Sequence, residues 1–144
     1  MDKVYIYTDG SSMGNPGPGG WGAILKYKDN TKEISGGEAY STNNRMELTA
    51  VISALESIKS GKWPIIVYSD SRYVVDAINK GWVFNWNKKA NMSGKKNPDL
   101  WERFLKVYGK FSDISFKWVK GHNGHFYNER CDLLATTEAK KYKK

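Results

Sequence analysis

The order in which strand-like and helix-like periodicities alternate constrains the fold of this chain most strongly. Residues 65–68, Ile-Ile-Val-Tyr, form a short apolar run that is typical of a strand buried on both faces. Helical spacing of apolar residues precedes it over residues 45–59, and a second helix is predicted from Ser71 to about Lys80. Because a strand, helix, strand, helix order needs crossover connections, part of the sheet is expected to be parallel.

Three strands are predicted before the first helix. Residues 4–9 alternate β-branched and aromatic side chains in the period of two that strands require. Residues 21–27 and 33–38 give two more strands, joined by a short turn. The stretch between the first two strands, residues 10–20, contains so many Gly and Pro residues that the sequence predicts a shaped loop there.

The second half of the chain is expected to be less regular. Residues 82–98 are predicted to form an irregular, exposed and basic excursion. A helix over residues 99–108, a strand over 114–119 and a helix from about Tyr127 complete the predicted elements. We expect one α/β domain over residues 1–144, with a frayed Lys-rich tail over 140–144.

The net charge favours a polyanionic partner. The 144 residues carry 23 Lys and Arg against 15 Asp and Glu, which gives a formal charge of +8 and a pI near 9.5. Nucleic acid is therefore the first candidate partner, although a basic surface can also serve solubility alone. Cys131 is the single cysteine, so no intrachain disulfide can form. The sequence shows no charged-then-apolar leader, and no apolar run is long enough to span a bilayer. A cytoplasmic protein is therefore expected.

Four acids stand where their side chains could converge. Asp9 and Asp70 close predicted strands, and Asp132 lies near the start of the last helix. Glu47 shares a helical stripe with apolar residues, where a carboxylate needs a partner. Each acid also has a structural explanation: a turn, a helix cap, a capping box after Asn44, or a solvated helix face.

Convergence of these acids would create a metal site. Like charges at short range favour protonation until cations neutralise them. An all-oxygen ligand set selects hard ions, so Mg²⁺ is expected and Mn²⁺ is a plausible substitute. Two such ions can support phosphodiester displacement, and with the basic charge this indicates a nuclease.

Five blocks of sequence then resemble a known family. In order they are Tyr7-Thr-Asp-Gly-Ser, Thr42-Asn-Asn-Arg-Met-Glu-Leu48, Ser69-Asp-Ser71, Trp118-Val-Lys-Gly-His122 and Asn128-Glu-Arg-Cys-Asp-Leu-Leu-Ala135. Together they resemble type 1 ribonuclease H of the bacterial kind over nearly the whole chain. The resemblance implies a ribonuclease H-like α/β fold, in which a mixed sheet of three antiparallel and two parallel strands is flanked by helices.

The same resemblance implies an activity and its residues. It implies an endonuclease that hydrolyses the RNA strand of RNA–DNA hybrids, leaving 5′-phosphate and 3′-hydroxyl ends. The implied ligands of two Mg²⁺ ions are Asp9, Glu47, Asp70 and Asp132, and His122 would assist product release or proton movement. For His122 the alternative is a solvated loop histidine.

Substrate contacts are implied residue by residue. By resemblance, Ser12, Asn15, Asn43 and Arg72 would meet the RNA strand, Thr42 and Asn97 a DNA phosphate, and Trp82 and Trp86 the DNA strand. The Asn and Ser residues could instead merely shape turns. The basic segment after Trp86 is shorter and less cationic than in the bacterial relatives, and Tyr40 stands where those relatives often carry an arginine.

Three other interpretations are weaker. A junction resolvase or transposase core would lack the block from Thr42 to Glu47. A reverse-transcriptase domain is disfavoured because the chain starts at Met1 without a polymerase portion, so a free-standing monomer is expected. A non-catalytic hybrid-binding module would not need four mutually repelling carboxylates near phosphates.

Overall fold

The computed structural model describes residues 3–88, 97–120 and 126–143, and for residues 86–88 it describes the backbone alone. The strands are β1 (Val4–Ser12), β2 (Gly17–Tyr27), β3 (Asn30–Ser41), β4 (Ile65–Ser69) and β5 (Ile114–Trp118). The helices are α1 (Asn43–Glu56), α2 (Arg72–Asn79), α3 (Trp82–Lys88), α4 (Pro98–Tyr108) and α5 (Phe126–Lys141). Within these residues no helix has the length and apolar character needed to cross a membrane.

The five strands form one mixed sheet in the order β3-β2-β1-β4-β5. The pairs β1–β2 and β2–β3 are antiparallel, whereas β1–β4 and β4–β5 are parallel. This is the predicted fold, and both the strand composition and the parallel pairing expected from the alternating periodicities are confirmed. In the register Tyr7 lies beside Tyr68, so Asp9 in β1 and Asp70, directly after β4, each follow two residues later.

Helices cover both faces of the antiparallel half of the sheet. On one face α1 buries its apolar stripe against Ile6 and its neighbours, and this cluster is the main core. On the other face α5 lies directly over β2, because β2 carries glycine there. A side chain at Gly20 would collide with the carbonyl oxygen of Ala135, and a Cβ at Gly22 would lie 2.9 Å from the carbonyl oxygen of Cys131. The close approach of α5 therefore depends on these glycines.

Two expectations about irregular segments are wrong. The Gly- and Pro-rich stretch is mostly strand, since β1 continues to Ser12 and β2 begins at Gly17. The connection is short and is closed by the Met13 N–H, which donates to the Pro18 carbonyl oxygen over 2.7 Å. Glycine is tolerated in β2 because α5 packs against it. Within the segment predicted to be irregular, residues 82–88 form α3, which buries Val83.

Two helix ends also differ from expectation. The N-cap of α1 is Thr42 rather than Asn44, and the Thr42 hydroxyl accepts from the Arg45 N–H over 3.2 Å. Helix α5 continues to Lys141, so the first two residues of the tail predicted to be frayed are helical. Beyond it, the Tyr142 ring lies beside Gly37 of β3.

Candidate active site

Three of the predicted acids meet at one end of the sheet. Asp9 belongs to β1, Asp70 follows the end of β4, and Glu47 comes from α1. One carboxylate oxygen from each of the three lies within 4.8 Å of the others. The parallel register of β1 and β4 places the two aspartates side by side, and α1 brings the glutamate to them. We call Asp9, Glu47, Asp70 and Asp132 the carboxylate centre.

Gly10 explains how Glu47 reaches the strand end. A side chain at Gly10 would collide with the backbone of Met46 and Glu47, so only glycine lets α1 approach β1 this closely. The Gly10 N–H then donates to Asp9 Oδ1 over 2.8 Å and to Glu47 Oε1 over 2.9 Å. A single backbone donor thus fixes two carboxylates in place.

Burial makes this arrangement electrostatically costly without a cation. Asp9 and Glu47 are only 6 % and 7 % exposed. Burial raises the pKa of Asp9 to about 7, repulsion from Asp70 and Asp132 adds to the rise, and hydrogen bonds from Glu47 and Gly10 oppose it. Burial and the adjacent Asp9 raise the pKa of Glu47 well above its usual range. Without a cation, Asp9 and Glu47 therefore hold protons near neutral pH.

The residues present fit a hard cation. Among the described residues, Glu47 Oε2 and Asp70 Oδ1 are buried and have no hydrogen-bond partner. An unsatisfied buried acceptor costs on the order of 1–3 kcal/mol, and more when it is charged. The donor set consists of carboxylate oxygens, which hard divalent ions prefer. A cation bound here would satisfy the orphaned oxygens and offset the repulsion.

Asp132, the fourth predicted acid, is not one of the three acids whose oxygens lie within 4.8 Å of one another. It occupies the second turn of α5, and α5 packs over Gly22, which is the β2 partner of Asp9. Asp132 lines the same open cavity of about 470 Å³ as Asp9, Glu47 and Asp70. The structure thus brings all four predicted acids to one cavity. His122 lies outside the described residues.

Three predicted substrate residues, Ser12, Asn15 and Asn43, are hydrogen-bonded to one another beside the cavity, and Thr42 precedes Asn43 as the N-cap of α1. We call these four residues the polar rim. Asn43 Oδ1 accepts from the backbone N–H of Ser12 over 2.8 Å and from its hydroxyl over 3.0 Å. The Asn43 N–H donates to Asn15 Oδ1 over 3.0 Å. The rim therefore joins the β1–β2 connection to the start of α1.

Arg72 and Trp118 meet on the other side of the cavity. The Arg72 guanidinium carbon lies 4.0 Å from the centroid of the Trp118 ring, a cation–π arrangement. The Trp118 indole N–H donates to the Asp70 carbonyl oxygen over 3.1 Å. Sequence reasoning gave Trp118 no role, although it stands in one of the recognised blocks. It holds Arg72 at the cavity wall and is tied to the backbone of Asp70.

Asn97 and Trp82 lie further from the carboxylates. Asn97 adopts the left-handed conformation (φ 58°, ψ 47°) just before α4, and its Nδ2 donates to the Tyr73 hydroxyl over 3.2 Å. Trp82 begins α3, is 46 % exposed and has Lys80 Nζ 5.2 Å from its ring centroid. The side chain of Trp86 lies outside the described residues.

Arg45 forms ion pairs that were not predicted from the sequence. Its guanidinium donates twice to Asp99 of α4, over 3.1 and 2.7 Å, and its Nε donates to Glu38 of β3 over 3.2 Å. It therefore ties the start of α1 to the start of α4. Arg45 stands between Asn44 and Met46 in one of the five blocks that resemble the family, and this position could have drawn attention to it. Its partners, however, are distant in sequence.

Known proteins share both this fold and this sequence. The RNase H family profile matches residues 1–140. Ribonuclease HI of Helicobacter pylori (strain ATCC 700392 / 26695) is 57% identical over 141 residues, which cover 98% of this chain and 96% of that protein.

Two solved structures extend the comparison. LC9-RNase H1, a type 1 RNase H with the type 2 active-site motif, matches with a TM-score of 0.86 at 31% identity, covering 99% of this chain and 74% of that one. LC11-RNase H1 in complex with an RNA/DNA hybrid matches with a TM-score of 0.71 at 27% identity, covering 96% and 98%.

An α/β fold that gathers buried carboxylates in a polar cavity at the ends of parallel strands is an arrangement suited to a metal-dependent hydrolase. The sequence comparisons are more specific than the fold. The chain belongs to the ribonuclease H family of endoribonucleases, and within it to type 1.

Proposed function

We propose that this chain hydrolyses the RNA strand of RNA–DNA hybrids as a metal-dependent endonuclease, leaving 5′-phosphate and 3′-hydroxyl ends. The observation that carries the proposal is the convergence of Asp9, Glu47 and Asp70 within 4.8 Å of one another. Family membership supports the reaction, and the hybrid bound to LC11-RNase H1 supports the substrate class. The formal charge of +8 favours association with such a polyanion.

The proposed cofactor is Mg²⁺, as two ions per site, with Mn²⁺ as a substitute. Asp9, Glu47, Asp70 and Asp132 would hold the ions, and the two orphaned carboxylate oxygens support this assignment. When bound, such ions supply activation of the attacking water and charge neutralisation at the leaving oxygen. The chain's own contribution is the rigid placement of the carboxylates by Gly10 and by the parallel register of β1 and β4.

His122 is proposed to assist proton movement or product release. It lies in the connection that follows β5. The end of β5 is fixed near the centre, because the Trp118 indole N–H donates to the carbonyl oxygen of Asp70. His122 follows Trp118 by four residues in the sequence. Histidine as a residue type is suited to proton transfer at physiological pH.

Recognition of the hybrid is proposed to divide between the two strands. Ser12, Asn15, Asn43 and Arg72 would contact the RNA strand, whose 2′-hydroxyls distinguish it from DNA. Thr42 and Asn97 would contact a DNA phosphate, and Trp82 with Trp86 would pack on the DNA strand. The hydrogen-bonded polar rim and the exposure of Trp82 support these roles.

We also propose that the protein acts as a cytoplasmic monomer. Its single cysteine, Cys131, is buried and donates to the Tyr7 carbonyl oxygen, which suits a reducing compartment. Sedimentation of the purified protein across a hundredfold concentration range should give one species of about 16 kDa. A larger species at working concentration would contradict the monomer.

The decisive test is selective, metal-dependent cleavage. The protein is incubated with an RNA–DNA hybrid, double-stranded RNA and double-stranded DNA, each with Mg²⁺ and with excess chelator. We expect cleavage of the RNA strand of the hybrid with Mg²⁺ only, and end-labelling should find 5′-phosphates on the products. Cleavage of duplex DNA, or binding of the hybrid without any cleavage, would overturn the proposal, the latter in favour of a binding module.

A further inference from the structure

The hydroxyl of Tyr73 receives two hydrogen bonds from the start of α4. Trp101 Nε1 donates to it over 2.9 Å and Asn97 Nδ2 donates to it over 3.2 Å. Tyr73 is the second residue of α2, three positions after Asp70, and its side chain lines the same cavity as the carboxylate centre. Tyr73 therefore connects the strand end that carries Asp70 with the residue that precedes α4.

The Tyr73 hydroxyl is held in place by the core. Trp101 is fully buried, and its ring packs against that of Tyr73 with centroids 5.8 Å apart. An indole N–H can only donate, so a buried Trp101 requires an acceptor at this point. The Tyr73 oxygen is that acceptor. Its position is thereby set by a rigid part of the molecule rather than by the exposed cavity wall.

Asn97 has a conformation in which the orientation of its amide matters. Its backbone is left-handed, which asparagine tolerates better than most residues. It occupies the N-cap position of α4, yet its side chain makes no capping hydrogen bond and points to Tyr73 instead. The amide group has a donor end and an acceptor end, and a phosphate attracts the donor end only.

We propose that Tyr73 is a positioning residue for the phosphate contact of Asn97. By accepting one N–H of the amide, the hydroxyl holds the Asn97 side chain in place, and the second N–H of the same nitrogen can donate to a phosphate. Without the hydroxyl, the amide loses this anchor and can turn away from the phosphate. The inference rests on the proposed function, in which Asn97 contacts the DNA strand.

The experiment compares Tyr73→Phe, Asn97→Ala and the double variant by steady-state cleavage of a hybrid with Mg²⁺. Tyr73→Phe keeps the ring against Trp101 and removes only the hydroxyl. Each single variant should raise KM about tenfold, which corresponds to roughly 1.4 kcal/mol of binding, while kcat changes less than about twofold. The double variant should raise KM no further than Asn97→Ala alone, because both changes remove the same contact.

The control is Tyr108→Phe, which removes a hydroxyl from another tyrosine of the same aromatic core. The Tyr108 ring packs against Phe84 and Phe104, and this variant should leave KM unchanged. An unchanged KM for Asn97→Ala would overturn both the phosphate contact and the inference, although hybrid cleavage itself would stand. A raised KM for Asn97→Ala with a normal KM for Tyr73→Phe, or multiplying effects in the double variant, would overturn the inference alone.

Discussion

The carboxylate centre and the polar rim differ in what holds their side chains. The carboxylate centre is fixed by the backbone: parallel register places Asp9 beside Asp70, and the Gly10 N–H holds Glu47. The polar rim is fixed by side chains, with Asn43 accepting from Ser12 and its backbone N–H donating to Asn15. We therefore expect changes in the centre to affect the chemical step and changes in the rim to affect binding.

The largest effect is expected from Asp70→Asn, which removes a charge with little change in volume. We expect kcat for hybrid cleavage to fall on the order of 10³-fold, the scale seen when a charge-stabilising group is removed from a reacting centre. In excess chelator the variant should unfold at the same or a higher temperature than the wild type, because repulsion with Asp9 falls. Cleavage at the wild-type rate would show that Asp70 is not a metal ligand.

The same contrast explains what the sequence could predict. Glu47 was recognisable because an acid on an apolar helical stripe is anomalous, and its burial follows from that stripe. Asp9 and Asp70 were recognisable because each stands where the sequence predicts the end of a strand. Such features are local, and the residues around each acid encode them.

Other features depend on contacts between distant residues. The glycine-rich start of β2, residues 17–20, was predicted to be a loop because its strand character depends on α5, more than a hundred residues later. Helix α3 looked irregular because its aromatic and polar residues carry no clear period. The partners of Arg45 and Tyr73 lie on other elements, and no spacing in the sequence identifies them.

A smaller effect in the carboxylate centre concerns stability against pH. The ordinary pKa of an aspartate is 3.8, and burial raises that of Asp9 to about 7 in the folded, metal-free protein. At Asp9 the folded state therefore binds more protons between these values, so the contribution of Asp9 to stability is greatest at the acidic end and is lost as pH rises through about 7. In urea denaturation with excess chelator, the wild type should lose about 2–4 kcal/mol more than Asp9→Asn between pH 4 and pH 8.

Two variants separate this effect from general charge effects. Asp9→Asn should reduce the pH dependence of the unfolding free energy and leave the part that is due to buried Glu47, whereas Asp113→Asn should leave the whole dependence as in the wild type. Asp113 is an exposed acid just before β5, at the opposite end of the sheet from Asp9. A wild-type pH profile in Asp9→Asn would mean that Asp9 is not the group that titrates.

The smallest effect is expected in the polar rim. Asn43→Ala removes the acceptor that orders Ser12. We expect KM for the hybrid to rise about fivefold with kcat nearly unchanged, because a hydrogen-bonded positioning group is worth about 1 kcal/mol. Asn30→Ala, at the turn between β2 and β3 at the far end of the sheet, is the matched control. A fall in kcat with normal KM would erase the distinction between rim and centre.

Cation binding by the carboxylate centre is tested most directly by thermal unfolding of metal-free protein titrated with Mg²⁺. A ligand that binds only the folded state raises Tm, and saturating Mg²⁺ should raise that of the wild type and of Asp113→Asn by about 4 °C. Asp70→Asn should show little or no rise. An equal rise in all three proteins would contradict the assignment of the bound cation to the buried carboxylates.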